Sequence, residues 1–256
     1  MTTIITGFSP KGYAQYGAQF LETFDRHWPK DVRLLCFVEE SPPGPIPRGA
    51  ERSLWTCKGM RDFIERHRDS LRANGREPVP GRWAPKHIAN GYHFKFDAWK
   101  FSRQCFIPEG AADELPDGEI MAWMDADVVT HAKVPADFVG GLLGTHDLCY
   151  LGRIGTHTEL GFWAVRLNNR TRRLLSRMVD LFRSDSIFEL REWHSAYAFD
   201  HVRQIEESLA GGAIKALNLT PRGTGHVWFQ SPLGRYTDHL KGDRRKRAGR
   251  SLERTG

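Results

Sequence analysis

The chain predicts an α/β domain, a sheet covered on both faces by helices. Two observations carry this. Short apolar, β-rich runs alternate with amphipathic helical stretches in the order β-α-β-α-α-β, and strands then mix with helices to the end. No internal repeat and no linker divides the chain, so a single domain is expected over 1–238, followed by a basic tail over 239–256.

Residues 3–7 are a short β-rich run that ends in Gly7-Phe-Ser-Pro10, a turn-forming stretch. Tyr13, Tyr16, Phe20, Phe24 and Trp28 then recur every three or four residues, which predicts a helix with one apolar face. Residues 32–38 are a second buried strand, closed by Glu39-Glu40. Four prolines make 41–48 a loop. Met60, Phe63, Ile64, His67 and Leu71 predict a second amphipathic helix, and the Gly/Pro-rich 74–85 an excursion over the binding face. Residues 93–106 read as one helix, with Phe94, Ala98, Trp99, Phe101 and Cys105 as its apolar positions. The apolar run Met121-Ala-Trp-Met124 is the next strand. Beyond it, 147–151, 160–167 and 214–219 read as strands. Residues 169–182 and 194–209 read as helices, the second with Phe199, Val202, Ile205 and Leu209 on its buried side.

Bulk properties narrow the class. A chain of 256 residues can bury a substantial core. No apolar run approaches the ~20 residues of a membrane span. The N-terminus, Met-Thr-Thr-Ile-Ile-Thr, lacks the basic region and long apolar core of a signal peptide. Cys36, Cys57, Cys105 and Cys149 are widely spaced, without a Cys-x-x-Cys pair, which predicts buried thiols in a reducing, cytoplasmic setting. The net charge is +6, and 240–256 supplies most of it, with seven bases against Asp243 and Glu253. The rest is nearly balanced, which argues against a body built throughout to bind nucleic acid.

The 121–124 strand runs directly into Asp125-Ala-Asp127. Two carboxylates one residue apart at the carboxyl end of a buried strand suit a hard cation, Mg²⁺ or Mn²⁺, which in turn holds a diphosphate. Open α/β sheets bind ligands beyond those strand ends. The other reading is an Asp-rich turn. A second segment, Asp238-His-Leu-Lys-Gly242-Asp-Arg-Arg-Lys246, joins a possible imidazole ligand to a glycine turn and a basic run. Its bland reading is a solvated tail.

Together the two segments resemble nucleotide-sugar glycosyltransferases of the GT-A fold, closest to the retaining group of glycogenin and the bacterial α-galactosyltransferases. That resemblance implies a Rossmann-like mixed sheet and a nucleotide-diphosphate donor, a UDP-sugar. It implies a Mn²⁺ or Mg²⁺ cofactor on Asp125, Asp127 and His239. His239-Leu-Lys-Gly242-Asp-Arg-Arg245 matches the group's late His-x-x-Gly-x-x-Lys element with arginine in the last place, so either Arg245 or Lys246 would hold the leaving group beside Lys241 and Gly242. The tail would then close over the donor. The chain is also similar to a phage-encoded group assigned to the glycosyltransferases. The shared motifs are Glu159-Leu-Gly-Phe162, Trp193-His194 and the 238–246 segment.

The resemblance extends roles to other residues. Thr6, Phe8 and Ser9 would line the nucleotide pocket, and Asp97, Lys100 and Arg103 would face the diphosphate or sugar from the helix before the acidic strand. Glu159, His194 and Asp200 are the candidates for acceptor-side catalysis, although His194 at a helix start also suits a capping region. With a basic end and a phage-like pattern, double-stranded DNA carrying a hydroxymethylated pyrimidine is one acceptor class. A polysaccharide, a protein or a small molecule is another. A sugar nucleotidyltransferase and a non-catalytic nucleic-acid-binding module are the rival readings.

Overall fold

Successive side chains of the first strand enter two different cores: Ile4 packs on one face of the sheet and Ile5 on the other. The computed structural model describes residues 1–42, 44, 46, 49–242 and 249–251, so Arg245 and Lys246 lie outside the described residues. β1 (Thr2–Phe8) leads through α1 (Pro10–Gly12), a π-helical turn at Tyr13–Gly17 and α2 (Ala18–His27) to β2 (Arg33–Val38) and β3 (Gly49–Ser53). Then come α3 (Met60–His67), α4 (Pro85–Ala89), α5 (Ala98–Phe101), α6 (Arg103–Glu114), β4 (Ile120–Met124) and β5 (Val128–Thr130). The rest is α7 (Phe138–Leu143), β6 (Leu148–Leu151), β7 (Glu159–Arg166), α8 (Asn169–Arg183), α9 (Ser195–Ser208), β8 (Ala216–Asn218) and β9 (Thr237–His239).

Among the described residues, seven strands form one mixed sheet in the order β3-β2-β1-β4-β7-β6-β8, and β5 pairs with β9 in a separate ribbon. β1 to β4 run parallel, β7 lies antiparallel to β4, and β6 antiparallel to β7. The carboxyl ends of β1, β2 and β4 therefore share one sheet edge with the amino end of β7. Strand order reverses between β1 and β4, the place where an open α/β sheet leaves a crevice.

Helices cover both faces of this single Rossmann-like domain. On one face Phe63, Phe106, Phe182 and Phe199 of α3, α6, α8 and α9 pack with Ile5, Leu35, Trp123 and Trp163. On the other, Phe20 and Phe24 of α2, Leu142 and Leu143 of α7, and Trp228 pack with Ile4, Leu34 and Phe162. Full burial of each large apolar side chain stabilises the fold by about 1.5–3 kcal/mol. All four cysteines are buried and free. No helix among the described residues is long and apolar enough to cross a membrane.

Several elements differ from the sequence pattern, each for a local reason. Residues 93–106 are not one helix. Asp97 leaves helical geometry to cap α5, accepting the Lys100 amide at 2.9 Å, and Ser102 marks the start of α6. α6 continues to Glu114 through Pro108, which lacks the helical amide donor, with Phe106, Ile107, Ala111 and Ala112 buried around it. α3 stops at His67 and leaves Leu71 60% exposed. In α9 Ile205 turns outward while Glu206 is fully buried, its carboxylate held by Arg173 at 2.7 Å and Arg177 at 3.0 Å.

Candidate active site

The crevice at the strand ends is a cleft of about 750 Å³, in the range of small-molecule sites. Asp125 follows β4 directly, and its amide donates to Gly161 O on β7 at 2.9 Å. A tight turn, Val128 N to Asp125 O at 3.1 Å, brings Asp127 to the head of β5. β5 is then paired residue by residue with β9, Val128 opposite His239, which carries the imidazole back to the acidic pair. Leu240 N donates to Asp127 O at 2.9 Å and closes the ribbon.

His239 Nε2 lies 3.1 Å from Asp127 Oδ1 and 3.7 Å from Asp125 Oδ2, and the three ligand-type atoms all lie within 4.8 Å of one another. The sequence-predicted metal residues are thus brought together. Burial and the neighbouring Asp127 push Asp125 up to about 6, against the pull of His239. Burial opposes the charged form of His239, but Asp127, Glu159 and Asp125 outweigh it and raise its pKa. Two carboxylates closing on one imidazole form an electrostatic sink that a hard cation fits. Two donors orient Asp125: Trp123 Nε1 at 2.8 Å and Gln104 Nε2 at 3.1 Å, both to Oδ1, leaving Oδ2 turned toward His239.

Gly161 explains the Glu-x-Gly-Phe pattern of β7. A β-carbon there would lie 2.6 Å from His239 Cε1, so only glycine leaves the ring its seat. Two residues earlier on the same strand, Glu159 is buried. Its Oε2 binds Lys241 Nζ at 2.6 Å and faces Arg153 NH1 at 3.3 Å, while Oε1 lies 3.7 Å from His239 Nδ1. Burial would push this carboxyl up, but His239, Lys241 and Arg153 together hold it at about 2. It is a brace between His239 and Lys241, which lines the cleft.

Other predicted residues divide. Phe8, Ser9, Lys100, Arg103, His194, Lys241 and Gly242 line the cleft. Arg103 is tied into its wall, with Nε on Glu39 at 2.8 Å and its guanidinium 4.1 Å above the Trp99 ring. Thr6 is fully buried within β1 and Asp97 caps α5, accepting Tyr92 Oη at 2.9 Å; neither lines the cleft. Asp200 also lies outside the lining and pins Thr158, at 2.9 Å to its amide and 2.6 Å to its hydroxyl. His194 lies at the N-cap of α9, but its ring makes no capping bond.

Sequence reasoning missed several cleft residues. Tyr16, part of the apolar stripe that predicts the first helix, lines the cleft from the π-helical turn, an irregularity common at functional sites. Burial, Asp127 and Asp125 push its phenol up to about 12. Gln104, Arg153 and His157 line the cleft without any local signal, and Glu192, which stands behind that lining, has none either. Glu192 bonds His157 and His194 at 2.8 Å each and Lys95 at 2.8 Å, contacts that only the fold creates. At the other end of the 238–246 segment, Asp238 is buried and clamps Ser251, accepting its amide at 2.7 Å and its hydroxyl at 2.5 Å.

No protein-family model matches the chain, and no curated protein does. Solved structures similar to it include glycosyltransferases. Mouse xyloside xylosyltransferase 1, in its apo form, is similar over 92% of this chain and 92% of its own, at 10% identity and a TM-score of 0.48. The apo-form glycosyltransferase GlyE of Streptococcus pneumoniae TIGR4 is similar over 84% of this chain but only 44% of its own length, at 10% identity and a TM-score of 0.44. A glycosyltransferase involved in glycosylation of the major capsid of PBCV-1 is similar over 96% of this chain and 98% of its own, at 12% identity and a TM-score of 0.44.

Proposed function

We propose that this chain is a metal-dependent glycosyltransferase that moves a sugar from a nucleoside-diphosphate donor, a UDP-sugar, to an acceptor hydroxyl. The observation that supports it best is the convergence of Asp125, Asp127 and His239 beside Lys241, at the strand-order reversal of an α/β sheet. A diphosphate approaching two bare carboxylates is repelled, so this arrangement accepts one only through a divalent cation. Mn²⁺ or Mg²⁺ suits the carboxylate-imidazole set, and bound there it supplies a Lewis acid for the leaving diphosphate.

The chain's own residues do the rest. Trp123 and Gln104 fix Asp125, Gly161 gives the His239 ring its space, and Glu159 holds Lys241 at the cleft, where its ammonium meets the charge that develops on the leaving group. Gly7, Phe8 and Ser9, where β1 ends, with Tyr16, form the wall for the nucleoside. The 239–256 segment is the element proposed to close over the donor, with Arg245 or Lys246 as its second cation.

Thermal unfolding with Mn²⁺ and a panel of UDP-, GDP- and TDP-sugars tests the reading. A ligand at a hundred times its Kd adds about 2.7 kcal/mol to stability, so a matching donor raises Tm by about 5 °C or more. That shift should need Mn²⁺ and disappear in Asp127→Asn. A panel without any Mn²⁺-dependent shift rejects the proposal.

A further inference from the structure

Lys95, His157 and His194 line the same cleft, and Glu192 joins them from behind that lining. Glu192 Oε2 lies 2.8 Å from Nε2 of His194 and 2.8 Å from Nε2 of His157, and Glu192 Oε1 binds Lys95 Nζ at 2.8 Å. The His157 loop joins β6 to β7, and Glu192 and His194 sit in the turn before α9. A short relay ties this cluster to the metal residues: Gln104 donates to Asp125 through Nε2 and accepts the hydroxyl of Ser195, the neighbour of His194, through Oε1. The rings of Phe94, Phe101 and Tyr197 surround the His194 imidazole at centroid distances of 6.0–6.5 Å.

The hydrogen bonds settle the tautomers. Burial would raise the Glu192 carboxyl, but His194, Lys95 and His157 hold it far below the usual range, so it is ionised and accepts only. Both Nε2 atoms therefore carry protons, and the Nδ1 of a neutral His194 keeps its lone pair. His157 Nδ1 lies 3.9 Å from Asp200 Oδ2. No hydrogen bond reaches His194 Nδ1 among the described residues, and His194 lines the cleft. Burial keeps this imidazole's pKa below its ordinary value, so it is neutral at neutral pH. A carboxylate that fixes the tautomer of an imidazole and faces the cation it becomes is the arrangement of a general base.

We propose that His194 is the acceptor-side base of the transfer, and that Glu192 is the positioning residue that orients it. This rests on the glycosyltransferase reading. The acceptor hydroxyl gives its proton to His194 Nδ1 as its oxygen bonds to the anomeric carbon. The bond from that carbon to the diphosphate oxygen breaks, its electron pair stays on the phosphate, and the imidazolium later returns its proton to solvent. His157, Glu192 and His194 also bring ligand-type atoms within 4.8 Å of one another, but the Lys95 ammonium 2.8 Å from Glu192 disfavours a second cation there.

The test uses the full chain, Mn²⁺, the nucleotide-sugar that stabilises it most, and water as the acceptor. His194→Ala should lower kcat for donor hydrolysis about 100-fold, with UDP affinity in Mn²⁺ unchanged and partial rescue by added imidazole. Should the alanine variant not fold, His194→Asn should show the same loss. The charged and titratable groups facing His194 are Glu192, His157, Lys95 and Tyr197. Glu192→Gln removes the carboxylate that favours the imidazolium, so the acidic limb of the kcat profile should move to lower pH; a merely structural residue would leave it in place. Wild-type hydrolysis by His194→Ala with intact UDP binding overturns the inference and leaves the donor reading standing. A second Mn²⁺ per chain, lost in Glu192→Gln, overturns it in favour of a metal cluster. If the wild-type chain neither binds nor hydrolyses any donor, both proposals fall.

Discussion

Gly161 and His239 are complementary in shape: a β-carbon at position 161 would stand 2.6 Å from Cε1 and 2.8 Å from Nδ1 of the imidazole. Trp228 lies on the same ring, its centroid 4.9 Å away, and its Nε1 is anchored by Thr237 at 3.0 Å. The ring therefore has little room to retreat. Gly161→Ala should rotate Nε2 away from Asp127 and lower Mn²⁺ affinity about 10- to 100-fold, the usual cost of disturbing what orients a ligand. Calorimetric titration of wild type and variant checks this, and equal affinities would mean that the ring is not a ligand.

Lys241 predicts a different signature. It touches Glu159 but is not part of the Asp125–Asp127–His239 set. Lys241→Ala should weaken UDP binding in Mn²⁺ by at least about 10-fold, the value of one charge-assisted contact, and leave Mn²⁺ binding without nucleotide nearly unchanged. Parallel titrations with the metal alone and with UDP separate the two effects.

Gln104 touches both halves of the cleft, Asp125 on one side and Ser195 on the other. Gln104→Leu keeps the bulk and removes both bonds. We expect a fall in kcat larger than the loss in Mn²⁺ affinity, because Asp125 keeps the Trp123 donor while the His194 turn loses its tie. A change in Mn²⁺ affinity alone would assign Gln104 to the metal side only.

A stability prediction concerns Asp147, far from the chemistry. It binds Arg170 at 2.7 and 2.9 Å, Asn168 at 2.8 Å and the Lys215 amide at 2.9 Å, joining the starts of β6 and α8 to the approach to β8. Burial raises its pKa, but these partners outweigh it and hold the pKa below the ordinary 3.8. A depressed carboxylate stabilises the fold above its unfolded pKa, and that contribution fades as pH falls through the folded value. Asp147→Asn should therefore cost about 2 kcal/mol at pH 7, with the gap from wild type closing at the acid end of a urea-unfolding series. A gap constant with pH would show that shape, not charge, is what matters there.

Much of this could be read in the chain beforehand. β1, β2 and β4 announce themselves as apolar runs, and α8 as a stripe of Leu174, Leu175, Met178 and Phe182 with arginines outside. Asp125-Ala-Asp127 and His239 were legible because their residue types suit one chemistry at one position in the fold. β3, Gly-Ala-Glu-Arg-Ser, and β9, Thr-Asp-His, have no apolar pattern and exist because β2 and β5 offer them partners. Glu192 stood between Arg191 and Trp193 like any solvent-facing acid. Its meaning comes from His157, thirty-five residues earlier, which no local window contains. Asp97 misled for the opposite reason: a carboxylate beside basic residues suggested a ligand, while the backbone required a cap.

The ribbon of β5 and β9 has a consequence for how the protein becomes active. Asp125 and Asp127 emerge from the ribosome more than a hundred residues before the imidazole that faces them, and only the pairing of Val128 with His239 unites the three. A chain cut before Thr237 keeps every strand of the main sheet but carries opposed carboxylates with no imidazole between them. On the proposed reading, cation capture is thus a report on completion, and an unfinished product would have no means to grip a donor and squander it.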